Sequence, residues 1–464
     1  TYLTYMKLDF IHRHNNYRLL LIFAGWGMDP GVFTGLYRRG YDIAVAWDYR
    51  DEAFDPSPLA EYGEIALLAW SMGVFAADRI VPRLQLPLSV TIAVNGTPWP
   101  INDTKGIPEA IFNGTLCGLN ERSLMKFYRR MCGSSDEFAR FQAHTPKRSI
   151  EELKEELQAI KDRSCTGHDG VMRWDKAIVS DNDAIIPTTN QINAWHEHEI
   201  HLIPGPHIPE WQKLVDTMLI DKQLVHDRFS KGFATYEREA EAQASSAERL
   251  WHLWQAHGTT TPAERLIEIG YGTGIFTRMY APAISIRDWQ LWDIVEPAGT
   301  IPAGARTVTG DAEAGIHRIA TESIDKIVSA STIQWFNSLP GFFRQAARTL
   351  KHGGELIVST FGPLTFRELA AAGVPPLPYP DAATLRKYIS GAGLKTVHIS
   401  EDLICRRFAS PRDVLLHIRA TGVNALNATA TPAQVRRILS DYPRETDGKA
   451  TLTYQPIYII ATKQ

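Results

Sequence analysis

LLLIFAGWGMD, residues 19–29, is an apolar run long enough for one buried strand, and it stops in a loop punctuated by Gly25 and Gly27. RLIEIGYGTG, residues 265–274, repeats the form far downstream. A buried strand that ends in a glycine turn is how a parallel α/β unit opens. Two such signatures predict two α/β domains, and 464 residues accommodate both. Working outward from the first, residues 65–73 (IALLAWSMG), 88–98 (LSVTIAVNGTP), 174–187 (WDKAIVSDNDAIIP) and 199–211 (EIHLIPGPHIPEW) read as further strands with their loops. A charged, helical tract interrupts them and includes SIEELKEELQAIKDR at 149–163. An interruption of that kind predicts a helical cap near 106–170 over an α/β core. The boundary is expected at residue 222, giving domains 1–221 and 222–464. HDRFSKGFATYEREAEAQASSAERLW, residues 226–251, reads as one helix leading into the second core.

Composition narrows the function classes. Lys plus Arg is 49 against 52 Asp plus Glu, a net charge of −3, and 44% of residues are hydrophobic. That describes a folded globular chain and excludes a general polyanion binder, so no nucleic-acid partner is expected. Cys117, Cys132, Cys165 and Cys405 form no Cys-x-x-Cys pair. No metal site is expected, and these thiols read as small buried hydrophobes. The first twenty residues lack the apolar centre of a signal peptide, and the apolar run at 19–28 is too short to span a bilayer. The expectation is a cytoplasmic protein without a membrane partner.

Ser71 follows an apolar strand, in Ala69-Trp70-Ser71-Met72-Gly73, and precedes the helix-compatible GVFAADRIVPRL. This is the context of a nucleophile elbow, where a sharp turn lifts the hydroxyl clear of the sheet. Strand and helix pass close together there, which calls for small residues; Gly73 meets this and Ala69 stands where a glycine is usual. Serine needs a base, and the base an orienting acid. Asp183 follows one strand and His207, in Pro204-Gly205-Pro206-His207, follows the last. The order Ser71, Asp183, His207 is the one this fold uses. Asp181 competes with Asp183 for the acid. The Trp26 N–H, in the loop 25–28, would pair with the Met72 N–H as an oxyanion hole.

The strings at 20–29, 70–73 and 95–98 (Asn-Gly-Thr-Pro) resemble the BioG-type pimeloyl-ACP methyl ester esterases over roughly the first 215 residues. The resemblance implies an α/β-hydrolase with a helical cap, acting on the methyl ester of pimeloyl carried by acyl carrier protein. That carrier is acidic. Residues 120–148 hold seven basic residues, Arg122, Arg129 and Arg130 among them, against three acidic ones. They are the expected docking face, although an ordinary solvated helix face has the same composition.

In the second half, a dinucleotide fingerprint would require glycine at position 275, which is Ile275. Glu268 before Gly270-Tyr271-Gly272-Thr273-Gly274 instead resembles the first motif of class I methyltransferases, a Rossmann-like fold. The resemblance implies that this loop holds the amino-acid part of S-adenosylmethionine. Asp293 follows Gly274 by 19 residues, at the end of a strand, where an acid binds ribose hydroxyls; Glu296 is the alternative. Asp311, in Gly310-Asp311-Ala312-Glu313, resembles the adenine-contacting loop, and Ala330 ends the strand expected beside the methyl group. Ser331-Thr332-Ile333-Gln334-Trp335-Phe336 and the stretch 350–362 resemble the BioC-type malonyl-ACP O-methyltransferases over about residues 224–464. The usual cysteine of the glycine loop is Tyr271 here. Tyr236 and Arg419 are the candidates for holding the acceptor or its carrier.

Together the resemblances imply a bifunctional enzyme of biotin synthesis. One domain would methylate the free carboxylate of malonyl-ACP, and the other would hydrolyse pimeloyl-ACP methyl ester. Two alternatives keep part of this. One is a general carboxylesterase fused to a small-molecule methyltransferase. The other makes the hydrolase half only a docking module for the carrier.

Overall fold

The computed structural model describes residues 6–165, 171–296, 301–374, 379–421 and 431–464, with side chains at 232–239 left aside. The chain divides into two compact units, Thr1–Asp221 and Lys222–Gln464.

The first unit is built on seven strands: β1 (Lys7–His12), β2 (Arg18–Phe23), β3 (Tyr41–Trp47), β4 (Glu64–Trp70), β5 (Leu88–Val94), β6 (Lys176–Ser180) and β7 (Ile200–Ile203). Their order in the sheet is β1-β3-β2-β4-β5-β6-β7. Only β1 runs antiparallel to its neighbour. Strands inside a parallel sheet are covered on both faces and therefore read as continuous apolar runs. Leu19 to Phe23 and Ile65 to Ala69 are accordingly fully buried. Between β5 and β6 the chain leaves the sheet for four helices, Glu109–Gly118, Glu121–Cys132, Ser135–Gln142 and Ile150–Ser164. Capping boxes at Asn120/Ser123 and Ser149/Glu152 start the second and fourth of these.

The second unit holds β8 (Ala263–Ile269), β9 (Ile286–Asp293), β10 (Ala305–Thr309), β11 (Ile324–Ser329), β12 (Leu350–Phe361), β13 (Leu394–Glu401), β14 (Ile404–Phe408), β15 (Ala450–Tyr454) and β16 (Pro456–Lys463). Seven of them form a sheet ordered β10-β9-β8-β11-β12-β16-β13. β16 is antiparallel to both neighbours and the other pairings are parallel. This is a doubly wound α/β sheet, whose ligands gather at the carboxyl ends of the strands where the order reverses, here between β8 and β11.

Two sequence expectations change. The stretch read as one helix at 226–251 belongs to two helices, Lys222–Glu239 and Glu241–His257, parted at Ala240, whose ψ of 36° is not helical. Of the cysteines only Cys132 is buried; Cys117, Cys165 and Cys405 are exposed. Cys132 alone falls on the inner side of an amphipathic helix. Among the described residues, no helix is long and apolar enough to cross a membrane.

Candidate active sites

In the first unit β4 delivers Ser71 into a left-handed turn, with φ 56° and ψ −125°. A non-glycine residue there costs about 1–3 kcal/mol, strain that persists where function holds it. The helix Met72–Ile80 departs at once. Gly73 is needed because a Cβ would strike the carbonyl oxygen of Phe23.

His207 Nε2 lies 2.9 Å from Ser71 Oγ, and its Nδ1 lies 2.8 Å from Asp183 Oδ2. A carboxylate only accepts, so Nδ1–H donates to Asp183 and Nε2 is left to accept from the serine hydroxyl. All three residues are buried. Asp183 is held by three further donors: Ile185 N and Ile186 N on Oδ1 and Gln191 Nε2 on Oδ2. The His207 carbonyl accepts from Trp70 Nε1 and Asn95 Nδ2, which fixes the loop after β7. Asp181 is exposed and accepts from Gly205 N. The geometry thus brings Asp183, and not Asp181, to the histidine.

Trp26 and Met72 line the same cavity as Ser71 and His207. Met72 opens its helix, so its N–H has no partner within that helix. The cap closes the cavity with Ile111, Phe112, Phe127, Met131 and Leu157, an almost wholly apolar wall. Arg130 is the one cation lining it among the described residues. Arg122 and Arg129 are exposed on the same cap helix, Arg129 packing its guanidinium over Phe138.

The cap also grips the loop that carries Trp26. Trp26 Nε1 donates to the Leu153 carbonyl at 3.0 Å. The fully buried Glu156 accepts from Gly27 N at 3.1 Å, from Tyr49 N at 2.8 Å and from Arg148 Nη1 at 2.6 Å. Burial pushes the Glu156 carboxyl upward, against the pull of Arg148. Arg148 in turn reaches Asp48 at 3.1 Å.

In the second unit the strand ends around β8 surround a cavity. Gly270, Gly272, Asp293, Asp311 and Ala330 line it, together with Trp335 and Phe336. Gly270 has a φ of 76°, and a Cβ would strike Thr332 Oγ1. Asp293 Oδ2 accepts from Gly272 N at 2.7 Å, which ties the glycine loop to the end of β9. Burial raises the Asp293 carboxyl. Ser331, with a φ of 55°, is a second strained residue on the cavity wall.

Not every expected residue faces this cavity. Glu268 and Gly274 do not line it. Glu268 sits behind the loop, fully buried, accepting from Thr277 Oγ1 at 2.7 Å and Tyr280 Oη at 2.5 Å, and burial pushes it up to about 7. Arg419 is exposed at the end of the helix Pro411–Ala420 and does not line the cavity. The Tyr236 side chain lies outside the described residues. Asp311 is engaged within the protein: it caps the turn at Glu313 N, and Lys222 Nζ stands 3.2 Å away. Lys222 also pairs with buried Glu313 at 2.8 Å, and Glu313 receives Asn337 N and Ser338 N. Nothing local in the sequence marks Lys222, Gln191 or Gln243. Glu156 had a signal: with Leu153, Leu157 and Ile160 it falls on one helical face.

Comparison with known proteins supplies the relationships. Residues 6–208 match the family described as pimeloyl-ACP methyl esterase BioG, and residues 267–358 match a methyltransferase domain family. A solved structure of BioG from Haemophilus influenzae is 37% identical, covering 44% of this chain and 94% of that one with a TM-score of 0.41. A malonyl-acyl-carrier protein O-methyltransferase of Porphyromonas gingivalis is 34% identical over 52% of this chain and 96% of its own length. The protein of that name from Bacteroides fragilis is 37% identical over 460 residues, 96% of this chain and 93% of the relative. An end-to-end match of that extent decides the family: the chain belongs to the malonyl-acyl-carrier protein O-methyltransferases, with a BioG-type esterase domain ahead of its methyltransferase domain.

Proposed function

We propose that the chain carries out two steps of biotin synthesis in the cytoplasm, methylating malonyl-ACP in its second unit and hydrolysing pimeloyl-ACP methyl ester in its first. The observation that carries the esterase reading is the Ser71–His207–Asp183 relay in an apolar, cap-covered cavity. His207 Nε2 takes the Ser71 proton as Oγ attacks the ester carbonyl. The Trp26 and Met72 N–H groups receive the charge that develops on the carbonyl oxygen. The proton then passes to the departing methoxide, and water, activated by the same histidine, frees the pimeloyl carboxylate. Asp183 holds the imidazole in the productive tautomer throughout.

In the second unit the residues fit S-adenosylmethionine. The cavity has a glycine cradle that a Cβ would fill, an acid at the end of β9, and buried polar atoms without partners at Gln243, Thr273 Oγ1 and Ser331 Oγ. Gly270 and Gly272 would let the backbone approach the ligand, Asp293 would receive the ribose hydroxyls, and Asp311 with Phe336 would border the adenine. Bound there, the cofactor supplies an electrophilic methyl group. An acceptor carboxylate is already ionised at neutral pH, so the protein needs no base. Its residues have to position two ligands in line and keep water out. Arg130, with Arg122 and Arg129, supports a basic approach for an acidic carrier.

Intact mass spectrometry of pimeloyl-ACP methyl ester tests the esterase. Loss of the methyl with the thioester kept, by the wild type and not by Ser71→Ala, is the expected result. Equal rates in the two proteins would sink the triad.

A further inference from the structure

The helix Pro411–Ala420 has two distinct faces. Val414, His417 and Ile418 are buried, and Val414 and Ile418 join a cluster with Phe361, Phe366 and Tyr454. Trp335, which lines the cavity of the second unit, packs against the same cluster. The helix also lies against Lys222–Glu239, which brings Lys222, Val225 and Phe229 to that cavity. Its inner face therefore backs the elements that wall the cavity, and its outer face meets solvent.

That outer face is Arg412, Leu416 and Arg419, all exposed, Leu416 to 53%. Steps of four and then three residues set the three in one line along the helix. Neither arginine makes an ion pair among the described residues. Asp413, the helix's one acid, is turned to the Ser410 hydroxyl, which it receives at 2.7 Å. No acid three or four residues away pairs with either arginine, so the line does nothing for the helix itself. Seven helical residues place the two arginines about 10 Å apart, the span of a protein surface and not of one small anion. A leucine between two unpaired arginines is the complement of an acidic surface with an apolar centre. In the first unit the cap helix Glu121–Cys132 presents Arg122, Lys126 and Arg129 at the same spacing, also exposed, beside its own cavity.

We propose that Arg412, Leu416 and Arg419 are the surface on which the second unit docks the acidic carrier of its acceptor, separately from the cap helix that serves the first. The inference rests on the malonyl-ACP reading of the cavity. A helix with its side chains is about 10 Å across, so a carrier docked there holds a thioester on a long flexible arm within reach of that cavity. The test is steady-state methylation of malonyl-ACP by the full-length chain, as wild type, Arg412→Gln/Arg419→Gln, Arg412→Glu/Arg419→Glu and Leu416→Ser. Titration with S-adenosylhomocysteine and hydrolysis of pimeloyl-ACP methyl ester, by the same preparations, report on the cofactor cavity and on the first unit.

The double glutamate variant should raise KM for malonyl-ACP about tenfold and the double glutamine variant less, with kcat within about twofold of wild type and the difference shrinking in raised salt. Leu416→Ser should raise KM about threefold at every salt concentration. S-adenosylhomocysteine affinity and ester hydrolysis should not move. A wild-type KM in the double glutamate variant, or a loss that neither grades with charge nor yields to salt, overturns the docking surface. So does a fall in S-adenosylhomocysteine affinity in step with KM, since the residues would then be serving the fold. A wild type that binds S-adenosylhomocysteine and does not methylate malonyl-ACP overturns the acceptor reading itself, and this inference with it.

Discussion

Replacing Glu156 by glutamine should slow ester hydrolysis even though Glu156 never touches the substrate. The side chain keeps its size, so packing in the cap helix Ile150–Ser164 is preserved. What changes is the clamp. The carboxylate accepts from Gly27 N, Tyr49 N and Arg148 Nη1 at 3.1, 2.8 and 2.6 Å. Gly27 N and Arg148 Nη1 share Oε2 while Tyr49 N takes Oε1. An amide that keeps its oxygen on the first two therefore turns its NH2 on Tyr49 N. The repelled Tyr49 N and the lost charge leave the Gly27 N–H with a weaker, displaced acceptor. Arg148 keeps Asp48 but loses its nearer counter-charge. Removing one partner of a buried ion pair costs about 3–5 kcal/mol, and retaining an amide in its place brings this to about 3. For a domain of this size that lowers the melting temperature of the first unit by about 6–12 °C. The catalytic effect runs through the Gly27 N–H, which sets the peptide following Trp26 and hence the aim of the Trp26 N–H at the oxyanion. Loss of one oxyanion donor costs about 10²–10³ in kcat, and a misaimed donor should cost about tenfold to a hundredfold. Glu156 does not line the cavity, so KM should stay within about twofold of wild type. The assay is steady-state hydrolysis of pimeloyl-ACP methyl ester well below the melting point, with methyl transfer by the same preparation as reference. A lowered melting temperature with unchanged kcat would refute the coupling and leave Glu156 a purely structural acid.

Three further outcomes are expected. Gln191→Ala removes the side-chain donor on Asp183 Oδ2 and should lower kcat about tenfold with little change in KM, by loosening the His207 orientation; unchanged kcat across the pH profile would count against that role. Glu268 is pushed up to about 7 by burial, against about 4.3 in an unfolded chain. Between these values the folded protein holds a proton that the unfolded chain has lost, so stability falls as pH rises through the window and levels off above it. Glu268→Gln should flatten the melting temperature of the second unit between about pH 4 and 7, and an unaltered slope would contradict the shift. Arg130→Glu should reduce kcat/KM on the ACP-bound ester about tenfold, less so at high salt, and leave a short carrier-free ester nearly unaffected; equal losses on both would mean that Arg130 serves the cavity and not the carrier.

The parts legible in the sequence were those fixed by short-range pattern. An apolar run ending in Ser71 or in Gly270 announces a strand and its turn, because both are set within about ten residues by burial and backbone sterics. The chain order of Ser71, Asp183 and His207 added the triad. The choice between Asp181 and Asp183 was not available locally, since the two sit two residues apart and only the path of the His207 loop separates them. Glu156 was hidden in a run of glutamates and lysines that reads as a solvated face. Its alignment with Leu153, Leu157 and Ile160 was the overlooked sign of burial. Glu268 misled in the opposite way: its motif position pointed to the ligand, while its side chain turns behind the loop to Thr277 and Tyr280. Gln243 had no local signal, because the cavity it lines is completed by residues of other elements.

On the proposed reading the chain makes one methyl ester, cleaves another and has to spare the first. The esterase cavity bears on how. Its cap wall is Ile111, Phe112, Phe127, Met131 and Leu157, which offers burial and almost no hydrogen bonding. Discrimination then follows chain length alone. A pimeloyl chain carries four more methylenes than malonyl. At about 0.8 kcal/mol for each methylene buried, full burial of the difference is worth about 3 kcal/mol, or roughly two hundredfold. That preference is graded and incomplete. On that reading it suits a short ester that leaves at once for elongation and returns long, and it needs no group that rejects malonyl. A polar residue introduced on this wall, at Leu157 for example, would erode the preference for the long ester before it touched the chemistry at Ser71, because the relay and the wall are contributed by different elements: the sheet holds the first and the cap the second.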